Sequence, residues 1–162
     1  MKPPVISIVT PTFNRCDTIS RCIDSAVAFC RAGNINDLSE MIVVDDCSTD
    51  GTVDLVAEKY ADLIQKGWLR LVTRWENHGF LSTRNLGVRH ASGDWVIFLD
   101  SDDEIIPDSA SKMIDYMTNA TQSFLYFRCL DGNTRALIGP ATETYQISYP
   151  AYINSGTPAE AL

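Results

Sequence analysis

Three short apolar runs in this chain end abruptly in polar side chains, and that pattern limits the fold more than any other feature. Val5-Ile6-Ser7-Ile8-Val9-Thr10 leads into Pro11-Thr12-Phe13-Asn14-Arg15, and Met41-Ile42-Val43-Val44 into Asp45-Asp46. Val96-Ile97-Phe98-Leu99 leads into Asp100-Ser101-Asp102-Asp103. Short runs rich in Cβ-branched residues read as buried strands of the kind found in parallel sheets. Burying an unpaired carboxylate is costly, so each acidic tip belongs where its strand leaves the sheet. The first strand is expected to stop at Pro11, which cannot donate to a ladder.

Helical patterns separate these runs. Apolar residues at 19, 22, 23, 26, 27 and 30 follow helical spacing, with Asp17 placed as the N-cap. The polar loop 47–51 supplies a cap for a helix over about 52–61, and 68–73 reads as a further strand. Residues 80–91 suit a helix entered through Gly79, and Pro107 opens another with Met113, Ile114 and Met117 on one face. Residues 124–129 read as a strand. Such alternation implies an α/β domain with a mostly parallel sheet and right-handed crossovers.

At 162 residues, with 45% hydrophobic and 21% charged residues, the chain has the length and composition of one soluble globular domain. A net charge of −8 without a Lys/Arg cluster argues against nucleic acid as a partner. Five cysteines, an odd number without a Cys-x-x-Cys pair, point to reduced thiols and a cytoplasmic location. No apolar run approaches the ~20 residues of a membrane span. The start, Met1-Lys2-Pro3-Pro4, has neither signal-peptide nor transit-peptide character.

In open α/β sheets, ligands bind outside the carboxyl ends of strands, where all three polar constellations fall. Asp100 and Asp102, two residues apart on a turning backbone, can share one hard divalent cation such as Mg²⁺ or Mn²⁺, which is commonly also held by substrate phosphates. The alternative is a solvated acidic turn before a helix. A nucleobase can stack on Phe13 while Thr12 or Asn14 reads a polar edge, or Phe13 is core filler. Asp46 can accept from a base or a ribose hydroxyl; alternatively Asp45 or Asp46 caps the Ser48–Gly51 loop. Arg84 pairs with phosphate, with an acid, or in a plain surface salt bridge. Neither a Gly-x-x-x-x-Gly-Lys-Ser/Thr loop, a Gly-x-Gly-x-x-Gly turn nor a Gly-x-Ser-x-Gly elbow is present, which argues against P-loop NTPases, dinucleotide enzymes and serine hydrolases.

In order and spacing, these blocks resemble the inverting family 2 glycosyltransferases. The resemblance runs through residues 6–15, Ile42–Thr52, Asn77-x-Gly79, Arg84-Asn85-x-Gly87, Ala91-x-Gly93-Asp94 and Phe98–Asp103. It implies a GT-A-type, Rossmann-like, mostly parallel sheet with helices on both faces. Residues 1–129 would form the nucleotide-sugar (donor) core, and 130–162 the start of an acceptor-side region, apparently truncated. The implied nucleotide-binding residues are Thr10, Pro11, Thr12, Phe13, Arg15, Asp45, Asp46, Gly79, Arg84 and Asp100. Asp100 and Asp102 would hold Mn²⁺ or Mg²⁺, with Asp102 the direct ligand. The implied reaction moves a sugar, UDP-linked most naturally, to an acceptor hydroxyl with inversion, in polysaccharide, lipopolysaccharide or glycoconjugate assembly.

The partners so implied are a nucleotide sugar and a glycan or glycolipid acceptor, with an oligomer left open and membrane association reserved for a longer parent. The general base of such a family lies several dozen residues past the Asp-x-Asp helix. There the acids are Asp131, Glu143 and Glu160, none in the expected Glu-Asp pairing. Two rivals stand beside this reading: a non-catalytic nucleotide-sugar-binding or assembly module of the same fold, and a sugar nucleotidyltransferase. The latter is disfavoured because the first loop has no glycine.

Overall fold

The computed structural model describes residues 5–121, 123, 125, 129–130, 134 and 137–138. The chain divides into two compact units, Met1–Thr118 and Asn119–Leu162. Within the second unit, β5 (Cys129–Leu130) pairs antiparallel with β6 (Leu137–Ile138). The strand expected over 124–129 and the acids Asp131, Glu143 and Glu160 fall largely or wholly outside the described residues.

The first unit holds a four-stranded parallel sheet in the order β3-β2-β1-β4, made of β1 (Ile6–Thr12), β2 (Ser39–Asp45), β3 (Leu69–Thr73) and β4 (Trp95–Phe98). Its helices are α1 (Ile19–Ala32), α2 (Thr52–Lys59), α3 (Ala61–Gln65), α4 (Phe80–His90) and α5 (Ala110–Asn119). Alternation along β1 assigns the two faces. Val9, Ile42 and Val44 form a core cluster with Val72, Leu86, Ala91 and Val96. A Cβ on Gly87 of α4 would stand 2.3 Å from Val9 Cγ1, so only glycine lets that helix lie so close. On the opposite face, Thr10 Oγ1 lies 3.9 Å from Cys22 Sγ of α1. Helices therefore cover both faces, as expected.

Three expectations need correction. β1 does not stop at Pro11 but runs to Thr12, buried throughout. Val9 still accepts from Leu99 N on the β4 side, at 3.1 Å, whereas Thr12 O accepts from Asp46 N on the β2 side, at 2.9 Å. Backbone groups alternate sides, so the missing N–H of Pro11 faces the side where β4 has already ended, and no ladder bond is lost. Asp17 is not the cap of α1; Thr18 holds that position without a side-chain hydrogen bond, and Arg15 O receives Thr18 N and Ile19 N instead. Finally, β4 is outermost among the described strands, and Phe98 is 44% exposed rather than buried.

Candidate functional site

The adjacent carboxylates Asp45 and Asp46 lie at the end of β2 and project to opposite faces. Each braces its own loop. Asp45 Oδ2 accepts Ser48 N at 2.8 Å, so the capping alternative holds for this residue. Asp46 accepts His78 N at 3.0 Å and Gly79 N at 2.8 Å, and meets Arg74 Nη1 at 3.4 Å. Burial alone would raise the Asp46 pKa, but these bonds outweigh it and hold the carboxyl below the usual range. The free acceptor expected of Asp46 is not found: both oxygens already serve the turn that starts α4, and Gly79 enters that turn at φ +82°.

The Cys47–Thr52 motif likewise turns inward. Asn14 N donates to Ser48 Oγ, Thr49 N to Asn14 Oδ1, Arg15 N to Thr52 Oγ1 and Cys16 N to Asp50 Oδ2, all at 2.8–2.9 Å. Asp50 Oδ1 accepts Thr52 N at 3.0 Å, so this acid satisfies the first N–H of α2, whose N-cap position is Gly51. The loops after β1 and β2 are thus one interlocked surface. Asn14 and Cys47 adopt positive φ (51° and 71°) within it.

Thr10 and Pro11, implied with Phe13 to line a base pocket, and Thr12, offered as the reader of a base edge, are buried in β1, which runs two residues longer than Pro11 suggested. Phe13, 44% exposed, is the first side chain to leave the sheet. Arg15 follows, with Nε 3.7 Å from Asp102 Oδ2. Arg84 Nη2 donates to Asp100 Oδ1 at 2.7 Å, so the acid partner foreseen for this arginine is Asp100. Phe13, Arg15, Gly79, Arg84, Asp100 and Asp102 are the expected residues left at the surface.

Asp103 shows how crowded this end is. Burial, then the charges of Asp102 and Asp100, raise its pKa above the ordinary carboxylate value. A divalent cation would relieve that repulsion, and Asp100 and Asp102 supply the hard oxygen donors that Mg²⁺ or Mn²⁺ prefers. Among the described residues no group of three His, Cys, Asp or Glu side chains is placed to hold a metal. Beneath the cluster, burial pushes the Cys22 thiol up to about 12, leaving it a small apolar filler.

Sequence reasoning missed Arg74 and Ser82. Arg74 Nη1 reaches Ser82 Oγ at 3.0 Å, and Nη2 reaches Ser82 O at 3.2 Å, tying the end of β3 to α4 as well as to Asp46. The signal was available only through the register: β2 pairs with β3 as Asp45↔Thr73, which sets Arg74 beside Asp46.

Comparison with known proteins identifies the family of the chain. The family model "Glycosyl transferase family 2" matches residues 7–155. The succinoglycan biosynthesis protein ExoO of Rhizobium meliloti is 34% identical over 160 residues, covering 95% of this chain and 43% of that protein. A UDP-Glc:alpha-D-GlcNAc-diphosphoundecaprenol beta-1,3-glucosyltransferase of Escherichia coli, WfgD, is 30% identical, covering 90% of this chain and 53% of that protein. The chain thus spans about half the length of these relatives. Among solved structures, the mannosyltransferase PcManGT of Pyrobaculum calidifontis, in complex with GDP-Man and Mn²⁺, is 27% identical with a TM-score of 0.66. It covers 75% of this chain and 34% of that one. S. aureus TarS in complex with UDP is 31% identical with a TM-score of 0.58, covering 70% of this chain and 32% of that one. With its parallel sheet, its acid-tipped strands and a family match across most of its length, this chain belongs to glycosyl transferase family 2.

Proposed function

We propose that this chain carries the donor half of a metal-dependent, inverting glycosyltransferase that uses a nucleoside-diphosphate sugar, with UDP the nucleotide. The observation that carries the reading is the juxtaposition of two arginines with two carboxylates: Arg84 with Asp100 and Arg15 with Asp102. Such a set suits a ligand that brings both phosphate anions and a bridging cation. The relatives' names favour a nucleotide sugar as that ligand and a growing surface glycan or glycolipid as the acceptor.

In this reading Phe13 offers a ring for the base, and the arginines neutralise the diphosphate. Asp100 and Asp102 would hold Mn²⁺ or Mg²⁺, which when bound supplies Lewis-acid assistance to the departing nucleoside diphosphate. Asp46 acts one layer below, fixing the 77–79 turn on which the approach to α4 depends. Inversion requires a general base at the acceptor hydroxyl, on the face of the sugar opposite the leaving group. No helix among the described residues is long and apolar enough to cross a membrane. The proposed location is the cytoplasm, with membrane association through other parts of a longer protein.

Calorimetric titration of UDP, GDP and CDP into the chain, with Mn²⁺ and with EDTA, tests this directly. Metal-dependent binding of UDP in preference to the others is expected. Equal affinity in EDTA would overturn the metal assignment, and a preference for GDP or CDP the choice of nucleotide.

A further inference from the structure

Arg84 is held more tightly than an ion pair requires. Its Cζ lies 4.2 Å from the ring centroid of Phe80 and 4.8 Å from that of Phe98. Its Nη2 donates to Asp100, and its Nε is buried without an acceptor among the described residues. The two rings are themselves exposed, 50% for Phe80 and 44% for Phe98, so burying them in the core is not what keeps them in place. Two sequence spacings converge here. Phe80 and Arg84 are four residues apart and share a face of α4, while Phe98 and Asp100 are two apart at the end of β4.

A guanidinium is planar, and aromatic faces attract it. A free arginine loses several rotors when it engages a phosphate, and that lost entropy weakens binding. An arginine already fixed by two rings and a carboxylate loses much less. We propose that Phe80 and Phe98 are positioning residues that cage Arg84 against Asp100, so that its cation is presented to the donor diphosphate already ordered. The inference rests on the donor-site reading above. It adds to that reading which side chains set the affinity without touching the nucleotide.

The test pairs two measurements on the chain. Arginine Nε–H resonances report the cage without any ligand, with Arg84 assigned by the loss of its signal in Arg84→Lys. Titration of UDP with Mn²⁺ reports its consequence. Phe98→Ala is expected to remove the exchange protection of Arg84 Nε–H and to weaken nucleotide binding about tenfold, while Phe98→Tyr restores both to within about twofold. Phe80→Ala is expected to act in the same direction. Leu81→Ala, at a 73% exposed neighbour, should leave both unchanged.

Protection and affinity that survive both Phe→Ala changes would overturn the cage. So would an unprotected Arg84 Nε–H in a chain that binds UDP. A Phe98-dependent, protected Nε–H in a chain that binds no nucleotide would instead overturn the proposal through the donor reading on which it rests.

Discussion

At the amino-terminal edge of the sheet, Glu40 Oε1 accepts Ser7 Oγ at 2.7 Å, Ser92 N at 2.6 Å and Ser92 Oγ at 2.7 Å, and Oε2 meets Arg70 at 3.6 Å. Gly93 N donates to Ser7 Oγ, and Val5 N to Asp94 Oδ2. At the carboxyl-terminal edge the same strands end in acids that crowd one another. Thr12 Oγ1, Asp45 Oδ1 and Arg84 Nε are buried there without a partner among the described residues. One edge is a clamp that joins the α4–β4 turn to β1 and β2; the other keeps charge and hydrogen-bonding capacity in reserve. Polar groups left unsatisfied at one end of an otherwise consistent sheet are what a binding site requires and a purely structural edge does not. The Ala-x-Gly-Asp motif therefore belongs to the fold, and the proposed function gives the Asp-x-Asp motif to the ligand.

Asp46 is where the comparison is most exposed to failure, because it lies at the carboxyl-terminal edge yet braces the fold. Asp46→Ala should deprive Arg74, itself 15% exposed, of its carboxylate while Ser82 still holds it, leave His78 N without its acceptor, and lower unfolding stability by about 3 kcal/mol in denaturant melts. A stability change near zero would move Asp46 back to the ligand. Gly93→Ala comes next. Its Cβ would lie 2.7 Å from Ser7 N, a backbone atom that cannot swing aside, so a loss of about 2 kcal/mol is expected from the same melts. Glu40→Ala should cost about 2 kcal/mol by leaving Ser7, Ser92 and Arg70 without their shared acceptor, with nucleotide affinity unchanged. A weakened affinity in that variant would show that the two edges are coupled.

The smallest effect is on the pH profile. For both Glu40 and Asp46, burial pushes the carboxyl pKa up, but hydrogen bonds and nearby arginines outweigh it and leave the folded value below the ordinary one. A depressed folded pKa contributes stability that is present above the unfolded value, about 4, and is lost as pH falls through the folded value. Stability should therefore hold constant near neutrality and decline below about pH 4. Glu40→Gln should flatten part of that decline in pH-dependent denaturant melts.

The parallel sheet was legible because its strands are continuous apolar runs and α1 has a clean apolar face; neither depends on distant partners. The site was only half legible. Carboxylates at strand ends are visible in the sequence, but whether Asp45 or Asp46 faces a ligand is decided by alternation and by the loops that each one meets. The Ser48-Thr49-Asp50 segment reads as a polar surface loop, yet its hydroxyls and carboxylate hold the loop after β1. Pro11 reads as a strand stop, and only the early end of β4 on one side makes it harmless. Arg74 carries no motif and gains its role from the register of two strands. Such placements depend on pairings far apart in sequence, which local patterning does not encode.

Asp102→Asn, followed by both thermal melting and titration with Mn²⁺ and UDP, tests the division of the sheet most directly. Asp102 is 56% exposed and lies in an acidic crowd, so removing its charge should leave the melting temperature unchanged or raise it, while metal-dependent UDP binding is lost. A variant that melts lower and still binds UDP with Mn²⁺ as tightly as the parent would contradict the account, because the acidic edge would then serve the fold and not the ligand.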